Sequence, residues 1–437
     1  MSAETEPAAS KGLFARLIGP ERHEYSAVGW SFLYFFCLLS AYYVMRPMRE
    51  AMAVASGPET IPLLFSGTFV AMLVATPIFG WIASHYPRRR FLPWVYYFFV
   101  VNILLFYAAF SYMIDRDIDY VWLGRMFFVW ISIFNLYVVS VFWSFMADIY
   151  TREQGRRLFG MISAGGSLGA VIGGAATSLL VTRIGFENLL PVSAGLLLLA
   201  VICIGRLRHW VEIEHSDEIE STAASERPLG GNPLAGITHV LGSRYFLAMA
   251  VTSAIASLLG TALYMFGAEL IETAITDANE RTRFFSNMNL WQNVLAVLGQ
   301  FFVVRHVVGR FGLGVSLVLL PALSVVGFIW LALDPTLMVV AVLTVLRRAL
   351  GFAFSKPTSD MLYSVVSDEE KYKAKNFIDT TLYRGGDLMG TWGIRALSAL
   401  GIAGISILML PFAVVWALVS LWLGRDYKRR DRLASGS

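Results

Sequence analysis

An all-α, polytopic membrane protein, with twelve transmembrane helices in two six-helix bundles, is the fold class this sequence predicts. Three observations predict it. Of the 437 residues, 57% are hydrophobic and only 15% charged, whereas a soluble domain carries about 25% charged residues. The apolar residues gather in long runs, and about 20 such residues let a helix cross a hydrocarbon layer of about 30 Å. Six of these runs lie on each side of one polar stretch.

The elements follow in order. Residues 1–26 are polar and lack the apolar core and small-residue cleavage site of a secretion signal, so they are expected to stay as a cytoplasmic tail. Runs at about 27–50, 60–84, 91–113, 120–146, 158–182 and 187–206 make a first bundle, 27–206. Residues 207–243 read as a solvated linker. It is acidic around Glu212, Glu214, Asp217, Glu218 and Glu220, then turns at Pro228, Gly230, Gly231 and Pro233 before a short interfacial helix near Gly236–Arg244. Runs at about 244–270, 287–306, 313–333, 337–362, 375–398 and 402–424 make a second bundle, 244–424, followed by a basic cytoplasmic tail, 425–437. With both termini in the cytoplasm, that side holds nineteen Lys and Arg residues outside the linker against four opposite, Arg116, Arg183, Arg281 and Arg283. Basic residues collect on the cytoplasmic side, so this is the expected topology. Trp81, Trp94, Trp122, Trp210 and Trp422 lie near run ends and read as interfacial belts.

The two halves resemble each other. A shift of 220 residues lays Asp148 on Asp368, Gly165 and Gly166 on Gly385 and Gly386, and Leu168 on Leu388. With six runs per half and a central linker, this is the parallel-repeat pattern of major-facilitator transporters. Gly165, Gly169 and Gly173 form one small-residue ridge, and Gly166, Ala170 and Gly174 a second. Such ridges let helices approach closely, so packing is their expected role.

Several function classes fall away. Cys37 and Cys203 sit in separate apolar runs, and the six histidines show no ligand spacing, so no metal or disulfide site is expected. A formal charge of +4 does not argue for nucleic acid in a membrane protein. No Walker A pattern is present, so ATP hydrolysis is not the expected energy source, and no cofactor is implied.

The informative residues are charges inside apolar runs. An ionised side chain at the bilayer centre costs about 2.5–3.5 kcal/mol, so it faces a wet cavity or a partner. Arg347 and Arg348 stand near the middle of their run, as do Arg384 and Asp387 in the next. Neighbours on a helix are about 100° apart, so one of Arg347 and Arg348, with the choice left open, is expected to face the cavity. Arg46, Arg49 and Arg125 lie toward run ends, where Pro47 can turn the first two inward. Lys356 is expected to bridge Asp360 four residues on. Arg384 can be neutralised by Asp387, and Arg395 reads as structural. A carboxylate withdrawn from water can serve a proton relay, so Asp387 and Glu269 are the coupling candidates, with charge balance for the arginines as the simpler role. Basic groups outnumber acidic ones in the runs, which points to an anionic solute held by guanidinium forks.

Three stretches carry a family resemblance: YYVMRPMRE at 42–50, FWSFMADIYTREQGRRLF at 142–159, and KYKAKNFIDTTLYRGGD at 371–387. They are similar to the nucleotide (ATP:ADP) translocases of the major facilitator superfamily, above all to relatives from free-living bacteria. The superfamily's general loop signature is altered, with Ser84 where an Asp is usual. The resemblance implies alternating-access transport of a phosphorylated, nucleotide-like anion by exchange or proton-driven uptake. It also implies a bacterial cytoplasmic membrane, and it puts Arg46 and Arg49 on a family motif.

The function expected is therefore a secondary transporter of an organic anion, nucleotide or phosphorylated metabolite first, bound by Arg46, Arg49, Arg125, Arg347, Arg348 and Arg384. The fold can work as a monomer in the lipid bilayer. The alternatives are a proton-coupled carrier of an envelope precursor or drug-like anion and, in another class, a non-transporting scaffold or lipid scramblase. A membrane-embedded enzyme lacks any supporting constellation of His, Ser and Asp.

Overall fold

The computed structural model describes residues 21, 23–85, 88–214, 240, 242–300, 305–366, 374, 375, 378 and 382–435. Lys11 and Arg16 of the tail, most of the linker and its interfacial helix, and Asp368, Lys371, Lys373 and Asp379 lie outside the described residues.

Among the described residues the protein is all-helical. The first half contains α1 (Tyr25–Ala55), α2 (Ile61–His85), α3 (Arg88–Asp115), α4 (Val121–Ile149), α5 (Arg152–Ile184) and α6 (Leu189–Glu214). The second contains α7 (Arg244–Ala274), α8 (Ala278–Leu298), α9 (Arg305–Leu333), α10 (Leu337–Leu350), α11 (Tyr383–Ala396) and α12 (Gly401–Ser435). After α10 the chain passes through a π turn at Gly351–Ser355 into a further helical segment, Lys356–Leu362. Single π turns of this kind often mark functional sites within helices.

Ten of the described helices are long and apolar enough to cross a membrane. The expected count of twelve is not reached, because α8 and α11 fall short. α8 starts nine residues before the expected run, and it buries Arg281, Thr282, Ser286, Asn289 and Gln292, a polar content that lowers its hydropathy. The described part of α11 is only 14 residues long.

Local chemistry sets several helix ends. Thr151 and Gln154 form a reciprocal capping box at the start of α5, with Gln154 N donating to Thr151 Oγ1 (3.3 Å) and Thr151 N to Gln154 Oε1 (3.0 Å). The α5 helix stops at Gly185, whose φ of +83° suits glycine. Asp277 caps α8 by accepting from Glu280 N at 2.8 Å.

Two large apolar cores form, one within the first half around Tyr34, Phe127, Phe134 and Phe142, the other mainly within the second around Phe266, Phe328 and Leu331. The glycine ridge packs as expected. Gly165 and Gly169 lie directly on the backbone carbonyls of Phe32 and Phe36, and a Cβ on Gly173 would stand 2.7 Å from the Ser40 carbonyl. Trp94 and Trp122 are about three-quarters exposed, as belt residues should be. Trp210 instead turns inward onto the Tyr150 ring (6.1 Å), so it belongs to the packing of the first half.

The halves are joined where α1, α5 and α7 end and α2 and α8 begin. Four hydrogen bonds cross there: Ser178 Oγ to Asn287 Oδ1 (2.5 Å), Ser286 Oγ to the Gly174 carbonyl (2.6 Å), Phe186 N to Asn279 Oδ1 (2.9 Å) and Trp392 Nε1 to Ser66 Oγ (3.2 Å). All four donors and acceptors are neutral.

Candidate functional site

The last turns of α1 carry Arg46, Pro47, Arg49 and Glu50. Pro47 has no N–H to give back to the preceding turn. Arg46 NH1 donates to the Tyr43 hydroxyl (3.3 Å), with the guanidinium 5.3 Å from the Tyr43 ring centroid. Arg49 is held more firmly. It lies over the Phe128 ring of α4 at 3.9 Å, donates from Nε to the Phe128 carbonyl (3.4 Å), and donates from NH1 to Glu50 Oε1 (2.9 Å). Stacking and an ion pair together hold one cation in one orientation. Glu50 itself is only 4% exposed.

Glu50 looks into a cavity of about 610 Å³, counting its open mouth. Every other lining residue belongs to the second half: Gly260, Leu263 and Tyr264 of α7, Phe284, Phe285, Met288, Asn289 and Gln292 of α8, and Thr344, Arg347 and Arg348 of α10 among them. The wall is therefore apolar and aromatic on one side, with amides, two guanidiniums and one carboxylate converging on it. That is the composition expected of a small-molecule site.

Both arginines of α10 line this cavity, which corrects the expectation that only one would. Long side chains leaving a helix in different directions can still reach a common space. Arg347 passes across Gly260, where a Cβ would stand 2.6 Å from its NH1, and donates from NH2 to the Ala256 carbonyl of α7. Arg348 turns toward α8 and makes a long bond to Gln292 Oε1 (3.5 Å). The charges of Arg49 and Arg46 on the same helix act on Glu50, and that of Arg348 acts on it across the boundary between halves.

Asp387 is half-buried and does not line this cavity. Its Oδ1 accepts from Ser257 Oγ (2.6 Å) and from Thr261 Oγ1 (3.3 Å), both on α7. The simple neutralisation by Arg384 is not what forms. Arg384 is exposed and makes no ion pair with Asp387 within 4.0 Å, although its charge and that of Arg347 act on the carboxylate.

Other candidates stand apart. Arg125 reaches the Ser56 carbonyl (3.4 Å) and lies over the exposed Trp122 ring (4.5 Å), away from the cavity lining. Glu269 is exposed on α7 and does not line the cavity. Lys356 pairs with Asp360 (3.5 Å) as expected, and Lys375 joins them (2.7 Å). Sequence reasoning missed Glu50, Tyr264, Asn289 and Gln292. The amides did leave a signal, since Asn287, Asn289, Gln292 and Asn293 crowd one short segment between apolar residues.

A family model, described as Major Facilitator Superfamily, matches residues 30–391. The chain belongs to the Major Facilitator Superfamily. Among curated proteins it is 22% identical over 491 residues to ADP,ATP carrier protein 2 of Chlamydia pneumoniae, covering 94% of this chain and 90% of that protein. It is 21% identical to ADP,ATP carrier protein 1 of Chlamydia trachomatis, covering 92% and 87%. Its fold is similar to the nucleoside transporter NupG (TM-score 0.59, 14% identity, 92% of this chain and 98% of that one). It is also similar to a D-xylose-proton symporter (TM-score 0.61, 12% identity, 92% and 97%). The protein is thus a multi-pass membrane transporter of the major-facilitator type and not an enzyme.

Proposed function

We propose that this major-facilitator protein carries an organic anion, a nucleotide or another phosphorylated metabolite, by alternating access. The observation that carries the reading is that Arg347 and Arg348 of α10 line one cavity together with Glu50 of α1, a carboxylate on which Arg49 and Arg46 of the first half and Arg348 of the second all act. Cations drawn from two bodies bind an anion strongly only when the bodies are correctly apposed, which ties binding to rocking. Arg384 and Arg125 do not line the cavity, and in this reading they belong to the solute's path rather than to its pocket. The 21–22% identity to proteins named ADP,ATP carriers supports a nucleotide-like solute first.

In this reading the bodies that rock are residues 27–206 and 244–424, joined by 207–243, and the working unit is a monomer. The membrane is the bacterial cytoplasmic membrane with both termini inside. The hydrogen-bonded seam between halves then faces outward, so the cavity is served from the cytoplasm.

The test is a thermal-shift screen of detergent-purified protein against ATP, ADP, sugar phosphates and phosphate. A ligand at about 100 times its Kd adds roughly 2.7 kcal/mol to stability. Stabilisation by a nucleotide that is lost in Arg347→Ala and Arg348→Ala, with both variants still inserted and folded, is the expected result. Unchanged affinity in both variants, or no response to any anion, defeats the proposal.

Proton coupling through Asp387 is a second reading with its own support. Ser257 has one hydroxyl proton and two acceptors, Asp387 Oδ1 (2.6 Å) and the Tyr383 carbonyl (3.0 Å). A protonated Asp387 donates to Ser257 and leaves the Ser257 proton for Tyr383, whereas an ionised one takes it. Loading a proton would thus re-pair the contact between α7 and α11. Glu269 is the weaker coupling candidate, since it lacks such partners.

A further inference from the structure

We infer that Glu50 is a resident counter-anion: its carboxylate occupies the positive site when the carrier is empty, and the anionic solute displaces it. This rests on the reading of the cavity as an anion site, and it adds what the empty carrier does.

Three observations lead there. Glu50 is 4% exposed and lines the cavity from α1, while the other lining residues come from the second half. A buried carboxylate costs several kcal/mol unless paired, and Glu50 is paired with Arg49 at 2.9 Å while the charges of Arg46 and Arg348 also act on it. Arg348, the one of these cations on the second half, holds only a long, neutral bond to Gln292 (3.5 Å). Its planar fork therefore remains available to an anion in the cavity, whereas Arg49 is committed to Phe128 and Glu50.

An arriving phosphate and the Glu50 carboxylate repel each other at these separations, because the interaction is screened far less than in water. Both therefore cannot enjoy Arg348 fully, and the solute, with more charge, takes it. When the solute leaves, Glu50 returns and offsets guanidiniums that would otherwise repel one another across the boundary between halves. An empty carrier can then close its site and reorient. Glu50 so acts as a positioning residue for the return half of the cycle, and it sets a threshold: a solute binds only if it outcompetes an internal carboxylate.

The experiment uses the full-length protein, with ADP and inorganic pyrophosphate as probes. Glu50→Gln keeps the shape and removes the charge. Its affinity for a probe should rise about tenfold by titration. In proteoliposomes loaded with ADP, the ratio of exchange to net efflux into ADP-free medium should rise about tenfold, because the unloaded return step is impaired. A merely structural role would depress both fluxes together. Lower or unchanged affinity, or equal loss of exchange and efflux, overturns the inference. If Glu50→Gln does not fold, Glu50→Asp, which withdraws the carboxylate by one methylene, should bind the probe a few-fold more tightly, and unchanged or weaker binding overturns the inference again. If the wild type binds neither probe, the anion-carrier reading itself fails, a result distinct from a wild type that binds and a variant that does not bind more tightly.

Discussion

α5 on α1 and α11 on α7 are matching contacts in the two halves, each built on glycines, yet they meet their partners differently. On α5 one ridge of glycines faces main chain, Gly165 on the Phe32 carbonyl, Gly169 on that of Phe36 and Gly173 on that of Ser40, while Gly166 beside it faces the Phe35 ring. Ser40 Oγ donates to the Gly169 carbonyl (3.1 Å) and Thr177 Oγ1 to that of Val44 (3.3 Å), so the contact is closed by neutral bonds. On α11 the glycines face side chains. A Cβ on Gly386 would stand 2.8 Å from Ser257 Oγ, and one on Gly390 3.4 Å from Thr261. These two hydroxyls hold Asp387. One framework thus serves as rigid packing in the first half and as an adjustable, charged contact in the second.

The sharpest break of this comparison is a methyl group on each side. Gly169→Ala drives a Cβ into a backbone oxygen that cannot turn away, and overpacking of this kind costs about 1–3 kcal/mol or more. Melting in detergent should drop markedly and the yield of folded protein with it. Gly390→Ala meets only side chains, Thr261 at 3.4 Å and Leu258 at 3.5 Å, and should melt close to the wild type. Equal losses in the two variants would mean that the contacts are alike after all.

How far the sequence alone reached follows the same division. The glycine ridge and its packing role were legible because its period is local, and of the twelve apolar runs ten are, among the described residues, helices that suffice to cross a membrane. Arg347 and Arg348 were legible because two guanidiniums inside an apolar run need water or a partner. Glu50 was not, since beside Arg49 at the end of a run it looks like an ordinary interfacial charge. Its burial arises only when α7, α8 and α10 close over it. The partners of Asp387 lie 130 and 126 residues away in the chain, so nothing near Asp387 announces them. The start of α8 was misplaced because its polar face is buried in protein rather than exposed to lipid, where hydropathy is a poor guide.

The charged contact should also be the pH-sensitive one. If Asp387 carries the coupled proton, uptake rises as the outer medium is acidified. Asp387→Asn, which keeps the shape and cannot ionise, should then flatten the dependence of uptake on pH while leaving melting near the wild-type value. The counterpart in the first half, Ser40→Ala, should leave the pH profile of uptake unchanged, because no ionisable group shares its hydrogen bond. A wild-type pH profile in Asp387→Asn would assign the carboxylate to charge balance for Arg347 and Arg384.

The smallest expected effect tests whether adjustability extends to the cavity wall. Gly260 gives Arg347 its path across α7, and a Cβ there would stand 2.6 Å from a guanidinium nitrogen. Because that atom is the far end of a flexible side chain, Gly260→Ala should cost little stability and displace the cation instead. Melting should stay within about 1 kcal/mol of the wild type, the small end of single-substitution effects. Affinity for the anionic solute should fall a few-fold, since the misplaced guanidinium loses its alignment without losing its charge. Arg347→Lys in the same background should then add little further loss, as the site has already forfeited the planar fork. A stability loss like that of Gly169→Ala would show instead that Arg347 is held as rigidly as a backbone carbonyl, and that the wall of the cavity belongs with the packed half of the comparison.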